Sequence, residues 1–154
     1  MSISISLKDY LEAKGVEYQL IRHTPTDTAY NAARAAHVPT RCMVKGVLLQ
    51  DDRGYLMAAV PATRSLDLEE LNRYTGRQLQ LVEEDELRCI LNDCVTGAVP
   101  ALGEAFGVPT LWDESLAMQP SFYIEAGDHE ELVRLGYYAF MALMPEGQRT
   151  PLSH

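Results

Sequence analysis

Lys45 is the residue whose setting most demands a chemical explanation. In the run Met43-Val44-Lys45-Gly46-Val47-Leu48-Leu49, a strand period of two puts Lys45 on one face with Met43, Val47 and Leu49. An ammonium among apolar neighbours must reach an edge or meet an anion, because an unpaired buried charge is costly. Two readings stand: a ligand for an anion or carbonyl at the floor of a pocket, or an edge-strand lysine that discourages aggregation. Gly46 leaves the backbone bare beside it, which lets a ligand approach closely.

Two further segments carry candidate chemistry. In the loop Gly97-Ala98-Val99-Pro100-Ala101-Leu102-Gly103, two glycines bracket a proline. Such a backbone can present N–H groups to a carbonyl or ester oxygen, or it can be a plain connection. In Glu125-Ala126-Gly127-Asp128-His129, a strand ends at Gly127 and a histidine follows in a tight turn. His129 then serves as a general base, a hydrogen-bond donor or a wall of a pocket, or it heads a helix and faces water.

The standard catalytic engines are missing. The sequence has no GxSxG elbow, P-loop, HExxH or EF-hand loop, and its four histidines, His23, His37, His129 and His154, are too scattered to mark a metal site. The three cysteines, Cys42, Cys89 and Cys94, match neither a zinc ribbon nor a CxxC motif and read as buried thiols. No cofactor is expected, and the chemistry left is chemistry by positioning.

The chain has 154 residues, 47% of them hydrophobic and 23% charged, which suits one globular domain. Residues 1–50 carry six Lys or Arg against four acids, whereas residues 51–154 carry seven against eighteen, within a net charge of -9. That balance excludes a protein that wraps duplex DNA, whose affinity comes from neutralising many phosphates. No apolar run approaches the roughly 20 residues of a membrane span, and acidic residues come too early for a signal peptide. The expected compartment is the cytoplasm, without membrane contact.

The elements that must position these residues follow from pattern. A short helix over Leu7–Lys14 ends at Gly15, Val16–Ile21 alternates as a strand, and Ala29–His37 is an alanine-rich helix stopped by Val38-Pro39. Met43–Gln50 and Tyr55–Val60 form a hairpin. Asp67 and Glu70 open a helix that closes at Gly76, a strand Gln78–Val82 follows, and a helix runs from Glu84 to Leu91. Asn92–Gly107 is a long loop, Thr110–Trp112 and Phe122–Glu125 are strands, and Leu132–Met144 is ambiguous between a strand leading into a helix and one helix. The pattern predicts a single α/β, or α+β-like, domain over residues 1–144 with a mixed, largely antiparallel sheet, and a polar tail over 145–154 with little reason to be ordered.

The stretches AARAAHVPTRCMVKGVLL, GYLMAAVPATRSLDLEEL, GAVPALG, VPTLWDESL and FYIEAGDHEEL, in this order over about residues 23 to 135, resemble the YbaK/ProX group of aminoacyl-tRNA deacylases. These are free-standing relatives of the editing domain inserted in bacterial prolyl-tRNA synthetases. One departure is Ala101, where the family loop often carries a second proline. The resemblance implies a sheet curled into a barrel-like core with flanking helices. It also implies hydrolysis, in trans to a synthetase, of the ester joining a wrong amino acid to tRNA. Lys45 then matches the lysine that holds the terminal adenosine, Gly97 to Gly103 the substrate-contacting loop, His129 a pocket histidine and Tyr30 an aromatic near the pocket mouth.

An aminoacyl ester is already activated, so positioning and oxyanion stabilisation suffice, with water or a ribose hydroxyl supplying the rest. The first substrate expected is alanyl-tRNA(Pro), with cysteinyl-tRNA(Pro) or another small residue next. Partners are the acceptor end of aminoacyl-tRNA and a synthetase. The alternative is a catalytically silent ligand-binding or regulatory module on the same fold.

Overall fold

Ser4, Thr28 and Asp67 each accept a backbone N–H three residues on, and so open α1 (Ile5–Ala13), α2 (Ala29–Ala35) and α3 (Leu68–Thr75). Gly76 closes α3 in the left-handed region, which costs a glycine nothing. Two more helices, α4 (Glu84–Ile90) and α5 (Tyr137–Leu143), complete the described set. The computed structural model describes residues 3–95, 98–144 and 148–154. None of its helices is long and apolar enough to cross a membrane.

The strands are β1 (Gln19–Arg22), β2 (Met43–Asp51), β3 (Gly54–Pro61), β4 (Gln80–Leu81), β5 (Thr110–Asp113), β6 (Ser121–Glu125), β7 (Glu131–Gly136) and β8 (Arg149–Thr150). Among the described residues they form one sheet in the order β1-β7-β6-β2-β3-β5-β8, with β4 pairing β2 off that path. The β1–β7, β6–β7, β2–β3 and β2–β4 ladders are antiparallel, while β2–β6, β3–β5 and β5–β8 are parallel. The sheet is therefore mixed and mostly antiparallel, as the sequence predicts. The ambiguous segment resolves into β7 followed by α5, the change falling at Gly136.

The main core lies on one face of the sheet, where Leu7 and Leu11 of α1 meet Val44, Trp112, Phe122, Ile124, Val133 and Phe140. The Phe122 and Phe140 rings stack at 3.9 Å between centroids. On the other face, Ala32 and Ala33 of α2 pack on Met43, Tyr123 and Leu132. Small alanines let α2 sit close over β2 and β6.

The expected disordered tail is corrected at its described end. Arg149 and Thr150 pair with Trp112 and Asp113, Leu152 is fully buried, and its N–H donates to Asp113 Oδ1 at 2.7 Å. One buried leucine and a capped sheet edge offset the ordering entropy of so short a segment.

Candidate active site

β2 is an interior strand, so the edge-strand reading of Lys45 fails. Its pairing is uneven. On one side β3 covers Val44 to Asp51, but on the other side only Met43 and Val44 pair with β6 and only Leu49 and Gln50 with β4. Lys45, Gly46 and Val47 thus face a gap in the sheet on that side.

The gap opens where β6 ends. β6 runs one residue beyond the Val44–Ile124 pair, to Glu125, and pairs no further residue of β2. Lys45 is half-buried, and burial lowers its pKa from the ordinary lysine value. It has no hydrogen-bond or ion-pair partner among the described residues. A half-desolvated ammonium without a counter-ion is prepared for an external anion.

The proline loop reaches the gap from the β6–β7 turn. Val95 N–H donates to Gly127 O at 2.7 Å, and further on the loop lies against Gly46. A Cβ built on Gly46 would come within 3.0 Å of Ala101 Cα and 3.3 Å of Val99 Cγ1, so the missing side chain is what admits the loop. Gly46 and Lys45 point to alternate faces, which means the loop and the lysine flank β2 from opposite sides and share only its open edge.

The loop is firmly held. Ala101 and Leu102 belong to the main core, and Pro100 and Ala98 are buried. At its far end Gly103 N–H donates to Thr110 Oγ1 at 2.8 Å, and Thr110 in turn donates to Glu104 Oε1 at 2.8 Å. At its near end Asp93 accepts from Ser4 Oγ and Ser6 N–H, both at 2.8 Å. Burial raises the Asp93 pKa, but the hydrogen bonds from Ser6 and Ser4 outweigh it and hold the carboxyl below its usual value.

Two amides of the loop are already committed, Ala98 to Val95 O at 3.0 Å and Gly103 to Thr110, and Pro100 has none. Val99, Ala101 and Leu102 carry the amides not spent on an acceptor among the described residues. Gly97 lies outside the described residues.

His129 does not head a helix. It occupies the turn between β6 and β7 with φ of 61°, and its side chain is partly buried, 13% exposed, with Nδ1 3.5 Å from Glu125 Oε2. Asp128 shapes that turn by accepting the N–H groups of Glu130 and Glu131 at 2.9 and 2.8 Å. The sequence reading passed over Glu125. It is 3% exposed, and burial, reinforced by the charge of Asp128, pushes its pKa up to about 8. The available signal was an acid closing the apolar run Phe122-Tyr123-Ile124.

Tyr30 lies on α2, which packs over the Lys45 face of β2 and β6, and the residue is 42% exposed. Three surface clefts lined by described residues, around Tyr137, Arg77 and Met118, include none of Lys45, Tyr30 and His129.

The cysteines are less uniform than expected. Cys42 is buried and Cys94 partly so, but Cys89 is exposed on α4. Burial, with the charge of Asp93, pushes the Cys94 thiol up to about 12, which leaves it protonated near neutral pH.

Comparison with known proteins bears on the family and the fold. Over 61 residues, 39% of this chain, the sequence is 38% identical to the proline–tRNA ligase of Thermosipho africanus (strain TCF52B), of which it spans only 11%. A solved structure described as a candidate trans-editing enzyme for prolyl-tRNA synthetase superposes with a TM-score of 0.84 at 25% identity, covering 98% of this chain and 96% of the other. A candidate signal transduction protein from Marinobacter aquaeolei VT8 shares the fold at a TM-score of 0.77 and 22% identity, over 97% of this chain and 30% of its own. Residues 23–143 match the model of the aminoacyl-tRNA editing domain, and the chain belongs to that family.

Proposed function

We propose that this protein is an aminoacyl-tRNA deacylase acting in trans, which removes a small, wrongly attached amino acid from the 3′ end of tRNA. The observation that carries the reading is the uncovered stretch of β2 over Lys45, Gly46 and Val47, which bears an ammonium with no partner among the described residues and the bare backbone against which the proline loop packs. Family membership and the trans-editing neighbour support it.

Lys45 binds the phosphate of the terminal nucleotide or the ester carbonyl. Water adds to the carbonyl carbon, and its electron pair displaces the π pair onto oxygen. Of the unspent loop amides, that of the part-exposed Val99 is the donor placed to meet that oxyanion, with Ala101 and Leu102 packed in the core behind it. Collapse of the adduct expels the ribose oxygen, which takes the water's proton, leaving a free amino acid and a tRNA with its hydroxyl restored. His129 and Tyr30 bound the acyl pocket. A pocket of this kind separates neighbours by about 1–3 kcal/mol per methylene, so selectivity is graded by size.

A panel of mischarged tRNAs tests this. Hydrolysis should be fastest for alanyl-tRNA(Pro), slower for cysteinyl-tRNA(Pro) and slowest for large side chains. Binding of the panel without hydrolysis of any member would favour a silent ligand-binding module instead.

A further inference from the structure

The acids of this chain leave one stretch bare. They number 22 in 154 residues, one in seven, yet none falls between Asp27 and Asp51, the longest acid-free run in the sequence. That run supplies α2, the turn after it and most of β2. Ala32 and Ala33 seat α2 on Met43, Tyr123 and Leu132, which turns its other side outward. There Tyr30, Asn31, Arg34 and His37 are exposed, at the three- and four-residue spacing that lines up one helical stripe roughly 10 Å long. Arg41, also exposed, is the next cation along the chain, in the short helical turn Thr40–Cys42 that joins α2 to β2. Neither guanidinium of the pair Arg34 and Arg41 has a hydrogen-bond or ion-pair partner among the described residues. Arg73, Arg77 and Arg88, by contrast, each meet a carboxylate. A cation in the last turn of a helix is ordinary, but an acid-free stripe with two unpaired arginines in so acidic a chain is not. His37 adds to it with φ of 59°, where glycine would sit without cost, so an imidazole is carried there against backbone strain.

The stripe starts beside the candidate site. Thr26 N–H, two residues before the cap of α2, donates to His129 O at 3.3 Å, which ties the Tyr30 end of the helix to the histidine turn. The nearest acid in sequence, Asp27, lies beyond that same end and accepts from Asn31 Nδ2 at 3.3 Å. A tRNA whose ester lies over β2 must lead its acceptor strand away across some surface, and on an acidic protein the acid-free one repels it least. We propose that the exposed face of α2, with Tyr30, Arg34 and His37, and Arg41 beyond it, is the surface that carries the acceptor strand of tRNA away from the ester. The placing of the ester rests on the deacylase reading, whereas the polyanion surface stands on charge and exposure alone. Arg34 and Arg41 donate to backbone phosphates, the Tyr30 ring offers its face to a base, and His37 supplies a ring N–H to phosphate or ribose. Contacts so far from the reacting carbon hold substrate and transition state alike, so they serve affinity and leave the chemical step untouched.

The test pairs binding with turnover in the double variant Arg34→Gln and Arg41→Gln, two exposed positions where loss of charge leaves the fold alone. The Kd for unacylated tRNA(Pro) should rise at least about tenfold, and the log–log salt slope of binding should fall by about two, one for each phosphate contact removed. On alanyl-tRNA(Pro), KM should rise by the same factor while kcat stays within about twofold. A control, Arg53→Gln with Arg73→Gln, removes the same charge from the hairpin turn and α3, and should leave every reading within about twofold of native. Equal weakening in the control would reduce the effect to net charge and overturn the stripe. A native Kd in the α2 variant would overturn it too, and so would a fall in kcat with KM unchanged, which would move these arginines into the reaction. If the native protein binds tRNA through Arg34 and Arg41 yet cleaves no ester, the deacylase reading fails and the surface stands.

Discussion

Glu125 shows how burial, with the charge of Asp128 added, shifts where an ordinary carboxyl responds to pH. Its carboxyl titrates near 4.5 when unfolded and at about 8 in the fold, so between those values the folded state holds the extra proton. Stability from this group is fully present below pH 4.5 and falls as pH rises through about 8, by up to about 1.4 kcal/mol per pH unit. Denaturant unfolding of Glu125→Gln across pH 5 to 9 should show a shallower decline than the native protein, with the variant the more stable at the alkaline end; parallel curves would place the proton elsewhere. Gly46 supplies a steric counterpart. In Gly46→Ala the new methyl would meet Ala101 Cα at 3.0 Å, a backbone atom that cannot rotate away. Deacylation should drop at least about tenfold for a stability cost of about 1–3 kcal/mol, because a small misplacement of the loop is felt at the reacting centre. Unchanged turnover would mean that the loop's seat on β2 is irrelevant to chemistry.

Among the elements, what the sequence revealed was local. The hairpin of β2 and β3 is marked by alternation and by the turn Asp51-Asp52-Arg53-Gly54, and α3 by Asp67 and Gly76 at its ends. The same alternation correctly grouped Lys45 with Met43, Val47 and Leu49. It could not show that β6 and β4 leave β2 uncovered between them, because parallel pairing with a strand some 80 residues away leaves no mark in a local pattern. Nor could it show that two loop amides are spent, which depends on where Val95 and Thr110 come to lie. β8 was missed for a related reason, since one leucine in a polar stretch carries no period. The loop's anchor at Gly103 is testable. A Cβ there would fall 2.6 Å from Val108 O and 2.7 Å from Thr110 Oγ1, so Gly103→Ala should destabilise by at least about 2 kcal/mol, read as a lowered thermal midpoint. A midpoint unmoved by the substitution would show that the loop's end yields.

At the scale of the whole molecule, a chain of net charge -9 is asked to handle a polyanion. Its first fifty residues, which include Lys45 and Arg22, are the part with a basic excess, and they supply α2, β1 and the gap end of β2. The footprint on tRNA should therefore be confined to the acceptor end, with a log–log salt slope equivalent to about one to three phosphates. A slope matching six or more would require a surface this charge distribution does not offer. The same economy explains the absence of a nucleophile from the account, since an activated ester needs holding more than it needs attacking. In the proposed reaction the half-buried ammonium on the open side of β2 holds the ester. Single-turnover deacylation of alanyl-tRNA(Pro) by Lys45→Ala, with its thermal midpoint measured alongside, puts that claim to the most direct test. A loss of at least about a hundredfold in rate is expected with the fold intact; a folded variant that turns over at the native rate would contradict the role given to the lysine.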